Sequence, residues 1–179
     1  MKKLMTAIVL CVLVFWTGRI YSINRKPQMV TYYSIGDIID CGDLELSFVE
    51  SHLDNPEEFE KRFAIDGFSN IDGDFKMISI CIDVTNKSDN DIGWEEVFEF
   101  IECGFESPVW ASSIDPMVGA QVNVFQSETL KQGATQSIWF LTEVNKSNFR
   151  AKSWDTVDDY QYVYVLTLVP HKIAVRLVV

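Results

Sequence analysis

Apolar and polar residues alternate over most of the chain after its first thirty positions. The clearest run is 75–85, FKMISICIDVT, where Ile78, Ile80, Ile82 and Val84 share one face and Met77, Ser79, Cys81, Asp83 and Thr85 the other. A period of two over this length predicts a strand. Leu44, Leu46 and Phe48 alternate with Glu45 and Ser47 in the same way, and 30–34, VTYYS, has the β-branched and aromatic content of a strand. Cys41-Gly42-Asp43 divides 37–40 from 44–50 and predicts a hairpin, because glycine reverses a chain without steric cost. Further strands are predicted at 97–103, 109–112, 121–125, 136–142, 161–168 and 172–179, the last two separated by Val169-Pro170-His171.

Helical signals are few. Asn55 suits an N-cap, Pro56 the first helical position and Glu57 and Glu58 the positive end of the helix dipole, while Phe59 and Phe63 share a face at i,i+4. A helix over 56–64 follows, and Asp115-Pro116 is a second, weaker start. Many short strands with one short helix predict an all-β fold, an antiparallel β-sandwich, over residues 31–179.

The first 22 residues follow another pattern. Lys2 and Lys3 precede the apolar run LMTAIVLCVLVFW, which ends before Thr17, Gly18 and Arg19. A basic start and a run of this length predict export. Cleavage would need small residues at both A-x-A positions, and Ile20-Tyr21-Ser22 has one only at its second position. An uncleaved anchor through residues 4–21 is therefore favoured over a removed signal, with Arg19 snorkelling to the interface. Val9-Leu10 before Cys11 does not fit a lipobox, and residues 23–30 read as a linker. The expected location is a cell membrane crossed once with the body outside, or secretion if the leader is removed.

Charge sharpens this division. Of 15 Lys and Arg and 26 Asp and Glu, five of the cations and none of the acids fall in the first 26 residues, so the remainder carries 10 cations against 26 acids, a balance of −16. Nucleic acid, which demands clustered cations, is excluded as a partner, and an anionic lipid surface would repel the body. A body of roughly 150 residues can bury about 70% of its unfolded surface, so it needs neither metal nor disulfides to fold.

The turn signatures Ile35-Gly36-Asp37 and Cys41-Gly42-Asp43-Leu44-Glu45 are followed by a long alternating strand ending in Thr85-Asn86-Lys87-Ser88-Asp89. Leu130-Lys131-Gln132-Gly133 then leads into Ile138-Trp139-Phe140. In this order the segments resemble immunoglobulin-like domains of unknown function on exported, membrane-anchored or lipid-anchored proteins of Gram-positive bacteria, relatives of the mycobacterial secreted immunoprotective antigens. The resemblance spans about 34–179 and implies an immunoglobulin-like sandwich and a surface location, but no catalytic residues. The acidic insertion at 54–74 and the three body cysteines depart from it.

Candidate chemistry is sparse. Cys41, Cys81 and Cys103 form an odd set in which export would permit one bridge, in any of three pairings, and leave one thiol free. No C-x-x-C is present to tune a redox thiol, and His52 and His171 belong to no metal-binding pattern. The loop at 66–74, DGFSNIDGD, gathers oxygen ligands, yet aligning Gly73 with the EF-hand glycine puts Phe68 at the first ligand position and Ser79 at the twelfth. Neither a metal nor a cofactor is predicted. Carboxylate pairs among Glu95, Glu96, Glu99, Glu102 and Glu106 leave a cell-envelope hydrolase as the alternative to a binding module, although Glu99 between Phe98 and Phe100 reads as the wet face of a strand. Trp139 is expected in the core. Trp94 and Trp154, in loops beside acids, are the candidate residues for holding a protein or cell-envelope ligand.

Overall fold

A computed structural model of the chain describes residues 12, 15–17, 19, 29–101, 103–168 and 171–179. The strands are β1 (Val30–Ser34), β2 (Ile38–Asp40), β3 (Leu44–Asp54), β4 (Phe75–Asn86), β5 (Ile92–Gly93), β6 (Gly104–Ser107), β7 (Trp110–Ser113), β8 (Thr129–Leu130), β9 (Thr135–Asn145), β10 (Val163–Thr167) and β11 (Lys172–Arg176). Between them lie the helices α1 (Pro56–Phe63), α2 (Trp94–Ile101), α3 (Pro116–Val122) and α4 (Ala151–Trp154).

Two sheets face each other, one ordered β1-β11-β10-β6-β7 and the other β2-β3-β4-β9, and β5 and β8 form a small ribbon. The fold is a β-sandwich, with one departure from antiparallel pairing: β1 runs parallel to β11. The hairpin between β2 and β3 turns at Gly42, whose φ of 84° needs no Cβ, and the Gly42 amide donates to Asp40 Oδ1 at 2.9 Å.

The interior forms where the inner faces meet. Phe48, Ile78, Ile80, Ile82, Val84, Ile138 and Phe140 from one sheet pack with Phe105, Tyr164 and Val175 from the other and with Tyr162 just before β10. Phe140 and Tyr164 touch across the gap with ring centroids 5.4 Å apart. Burial of the tyrosines is tolerable because each hydroxyl is bonded, Tyr162 to the carbonyl of Val157 at 2.9 Å and Tyr164 to that of Ile101 at 2.7 Å.

The second face of β4 is also covered. Met77, Ser79 and Cys81 are buried, with Phe59 of α1 and Val118 of α3 packed over Met77, Phe75 and Leu141. The insertion at 54–74 therefore supplies a roof for the sheet. Its helix α1 carries a full capping box between Asn55 and Glu58, and the Arg62 guanidinium clamps the buried Asp54 carboxylate at 2.7 and 2.9 Å.

Two predicted strands are not strands. Of the stretch 97–103, residues 97–101 belong to α2, because Trp94, Val97, Phe98 and Ile101 repeat at i, i+3, i+4 and i+7, a helical spacing that outweighs the short alternation around Glu99. The strand expected at 121–125 is the end of α3 and the extended segment after it. The Asp115 carboxylate caps α3 by accepting from the amides of Met117 and Val118, so the weaker helix start is a real one. Among the described residues of the body, three short α-helices accompany the expected one at Pro56–Phe63.

The leader assigned to 1–22, with its span at 4–21, lies almost wholly outside the described residues. Of it, Val12, Phe15, Trp16, Thr17 and Arg19 are described, in helical conformation and exposed. Among the described residues no helix is long and apolar enough to cross a membrane. Most of the linker at 23–30 also lies outside them.

Candidate functional site

An open cavity of about 450 Å³ runs between α2, α3 and β9. Its walls follow from local structure. Burial of Val97 and Ile101 in the core turns Glu95, Phe98 and Glu99 of α2 toward the cavity. The opposite wall is α3, where Gly119 and Ala120 keep the surface low. The floor is Trp139, Phe140 and Leu141 of the edge strand β9.

Asn123 fixes the end of α3 to that floor. Its side chain accepts from the Trp139 amide at 2.8 Å and donates to the Trp139 carbonyl at 2.9 Å, as a neighbouring strand would. The amide of Asp115 bonds the Leu141 carbonyl at 2.8 Å. These bonds close part of an edge that would otherwise invite a foreign strand.

Trp94 does not line the cavity but braces its wall. Its ring packs on Phe125 at 4.6 Å and Phe98 at 6.4 Å, and its indole N–H donates to the Ser127 carbonyl at 2.7 Å. Trp154 stands elsewhere, edge-on to Phe149 at 5.7 Å, in the cluster that includes Trp110 and Tyr160. Both rings are half-buried against the core.

Trp139 is placed differently from its expected core position. It lies on the outer face of β9, half-buried, because its register partner Cys81 also points outward. Its ring stacks on His52 at 6.0 Å and meets Phe63 edge-on at 4.9 Å. His52 and Trp139 belong to strands on either side of β4, so their rings arch over it. His52 is further tied to Glu50 at 2.9 Å.

The three body cysteines are free, so the disulfide allowed by export is not formed. Burial pushes the Cys81 thiol up to about 12, with the carboxylates of Asp83 and Glu50 adding to the shift. Burial also raises Cys41 and Cys103. Among the described residues no group of three or more His, Cys, Asp or Glu side chains converges as a metal site, the loop at 66–74 included. That loop is held by the Ser69 amide, which donates to Glu60 at 2.9 Å, and by an ion pair between Asp74 and Lys146.

Of the five acids weighed for hydrolysis, Glu95 and Glu99 line the cavity and Glu96 is exposed on α2 outside its lining. Glu106 pairs with Lys172 beside a second recess that Tyr32 and Arg176 also line, and Glu102 lies outside the described residues. The cavity residues Phe98, Ile114, Ala120 and Phe125 were not singled out by sequence. The i,i+4 spacing of Glu95 with Glu99 and of Trp94 with Phe98 was the signal that could have found that wall.

Sheet order and covered core define a β-sandwich protein, and comparison with known proteins agrees at that level. An uncharacterised β-sandwich protein of Clostridium difficile 630 matches with a TM-score of 0.50 and 10% identity, over 84% of this chain and 97% of that one. A conserved hypothetical protein of Bacillus anthracis matches with a TM-score of 0.48 and 10% identity, over 73% of this chain and 87% of that one. At this identity the likeness to the Clostridium difficile protein concerns the fold alone. No family model and no curated protein matches the chain.

Proposed function

We propose that the chain is an exported binding module, held at a bacterial cell membrane by its N-terminal segment and presenting an immunoglobulin-like β-sandwich outside. The observation that carries the binding role is the cavity between α2, α3 and β9, about 450 Å³ and walled mainly by apolar and aromatic side chains. Small-ligand and side-chain sites have this size and composition. Its walls are anchored from three directions, by the packing of α2 into the core, by Trp94 against Phe125, and by Asn123 on β9. Such a site is largely formed before a ligand arrives, which lowers the ordering cost of binding.

Export and attachment rest on Lys2, Lys3 and the apolar run that follows, and the −16 balance of the remainder favours a body directed away from anionic lipid. The immunoglobulin-like reading is supported by the chain's passage between sheets, from β4 to β6 and β7, back to β9, then to β10 and β11. The parallel β1 to β11 pair is compatible with it as an added edge strand.

Binding is favoured over carboxylate hydrolysis. Glu95 and Glu99 stand one turn apart on a single helix, so both address the cavity from one wall, whereas glycoside hydrolysis needs carboxyl groups flanking the scissile bond. Asp115 is engaged as the cap of α3.

The test compares the full-length chain with Ala120→Trp, whose indole would fill the cavity from an exposed helix position. In cross-linking to cell-envelope extract, the wild-type adduct should be lost in the variant. An adduct retained at full yield would overturn the cavity as the site. Mass spectrometry of the membrane fraction checks attachment: a mature chain beginning near Ile23 would rule out the anchor.

A further inference from the structure

The charge on the rim of the α2–α3 cavity is one-sided. Glu95 and Glu99 are exposed on one face of α2, and among the described residues no ion pair engages either of them. Among the described residues no Lys, Arg or His lines the cavity. The third acid there, Asp115, already accepts from the Met117 amide at 2.9 Å and the Val118 amide at 3.1 Å. Below the two free carboxylates the surface is apolar, formed by Phe98, Ile114, Ala120, Phe125 and Leu141.

These two features select for opposite ends of one ligand. The apolar floor gains by removing hydrocarbon from water. A cation held at the rim meets two carboxylates without leaving solvent, and the aromatic face of Phe98 adds a second attraction. An anionic ligand would meet the same carboxylates with repulsion, in a body whose balance is already −16.

Resting on the reading of this cavity as the binding site, we infer that it takes an organic cation: a primary ammonium carried on a compact apolar body. The body lies over Phe140 and Leu141 between the helices, and the ammonium points out between Glu95 and Glu99. Charge complementarity, rather than shape alone, then separates this ligand from neutral molecules of the same size.

Three probes of nearly equal shape test this on the purified full-length chain, with the solubilising medium as blank: phenethylammonium, 2-phenylethanol and phenylacetate. Binding is followed by the indole resonance of Trp139, which lines the floor. Phenethylammonium should bind roughly ten-fold tighter than the alcohol at low salt, as two exposed ion pairs allow, and phenylacetate weakest. The preference should shrink toward one in about 1 M salt, where the screening length is about 3 Å, and likewise in the double variant Glu95→Gln with Glu99→Gln. If the alcohol shifts Trp139 and the ammonium binds no tighter, the cation inference is overturned while the cavity reading stands. If none of the three shifts Trp139, both are overturned.

Discussion

Cys81 provides a sensitive probe of how the outer face of the β-sandwich is covered. It is 4% exposed, beside its register partner Trp139 on the outer face, and its thiol is pushed up to about 12. At pH 8 a thiol of ordinary acidity near 9 is ionised in about one molecule in ten, and one at 12 in about one in ten thousand, so ionisation alone slows attack by thiol reagents about a thousand-fold. The perturbation is Trp139→Ala, in a background with Cys11, Cys41 and Cys103 replaced by Ser. Loss of the indole opens the arch formed with His52 and exposes both the sulfur and its solvation. Labelling by a disulfide reagent at pH 8 should then speed up by at least two orders of magnitude. A weakened fold would also speed labelling, and urea separates the two routes: local exposure gives a rate nearly independent of urea, whereas global opening gives a steep dependence. The sign with pH is equally fixed. The unfolded chain loses this proton near 9 and the folded chain near 12, so the stability linked to Cys81 is present below pH 9 and is lost as pH rises toward 12. With Trp139 unaltered, labelling of Cys81 as fast as that of Cys41 in a matching protein that keeps only Cys41 would refute the covering.

Other expectations concern stability and can be read from denaturant melts. Ala64 ends α1 with φ at 52°, a conformation that disfavours a Cβ, so Ala64→Gly should stabilise by about 0.5–1 kcal/mol. The Ser79 hydroxyl is fully buried with no hydrogen-bond partner among the described residues, and Ser79→Ala should stabilise by about 1 kcal/mol, whereas loss of stability would mean that the hydroxyl is satisfied. Arg62→Met leaves the Asp54 carboxylate buried without its clamp and should cost about 3 kcal/mol. Ile80→Ala, at a fully buried position between the sheets, should cost about 2–5 kcal/mol.

The sandwich was legible where burial follows strand period. Ile78, Ile80, Ile82 and Val84 alternate because one sheet face meets another, and the hairpin at Gly42 declared itself by a turn residue that its φ requires. The cavity was less legible because α2 carries two patterns at once. Phe98, Glu99 and Phe100 alternate like a strand, yet Phe100 is 51% exposed and the buried pair is Val97 with Ile101. Only the longer window that includes Trp94 shows the helical period. Trp139 was misplaced for a related reason. Its neighbours Ile138 and Phe140 face the core, so the indole must face outward, where α1 and α3 cover a surface that a simple sandwich leaves wet. That covering depends on the insertion folding back, a long-range event that local spacing does not encode.

Hydrogen–deuterium exchange of the full-length chain, with and without cell-envelope extract, tests most directly the proposal that the cavity is a binding site. New protection should concentrate in Trp94–Ile101, Pro116–Val122 and the adjoining part of Thr135–Asn145, and should be lost in Ala120→Trp. Protection confined to the opposite sheet, around Tyr32, Lys172 and Arg176, would contradict it.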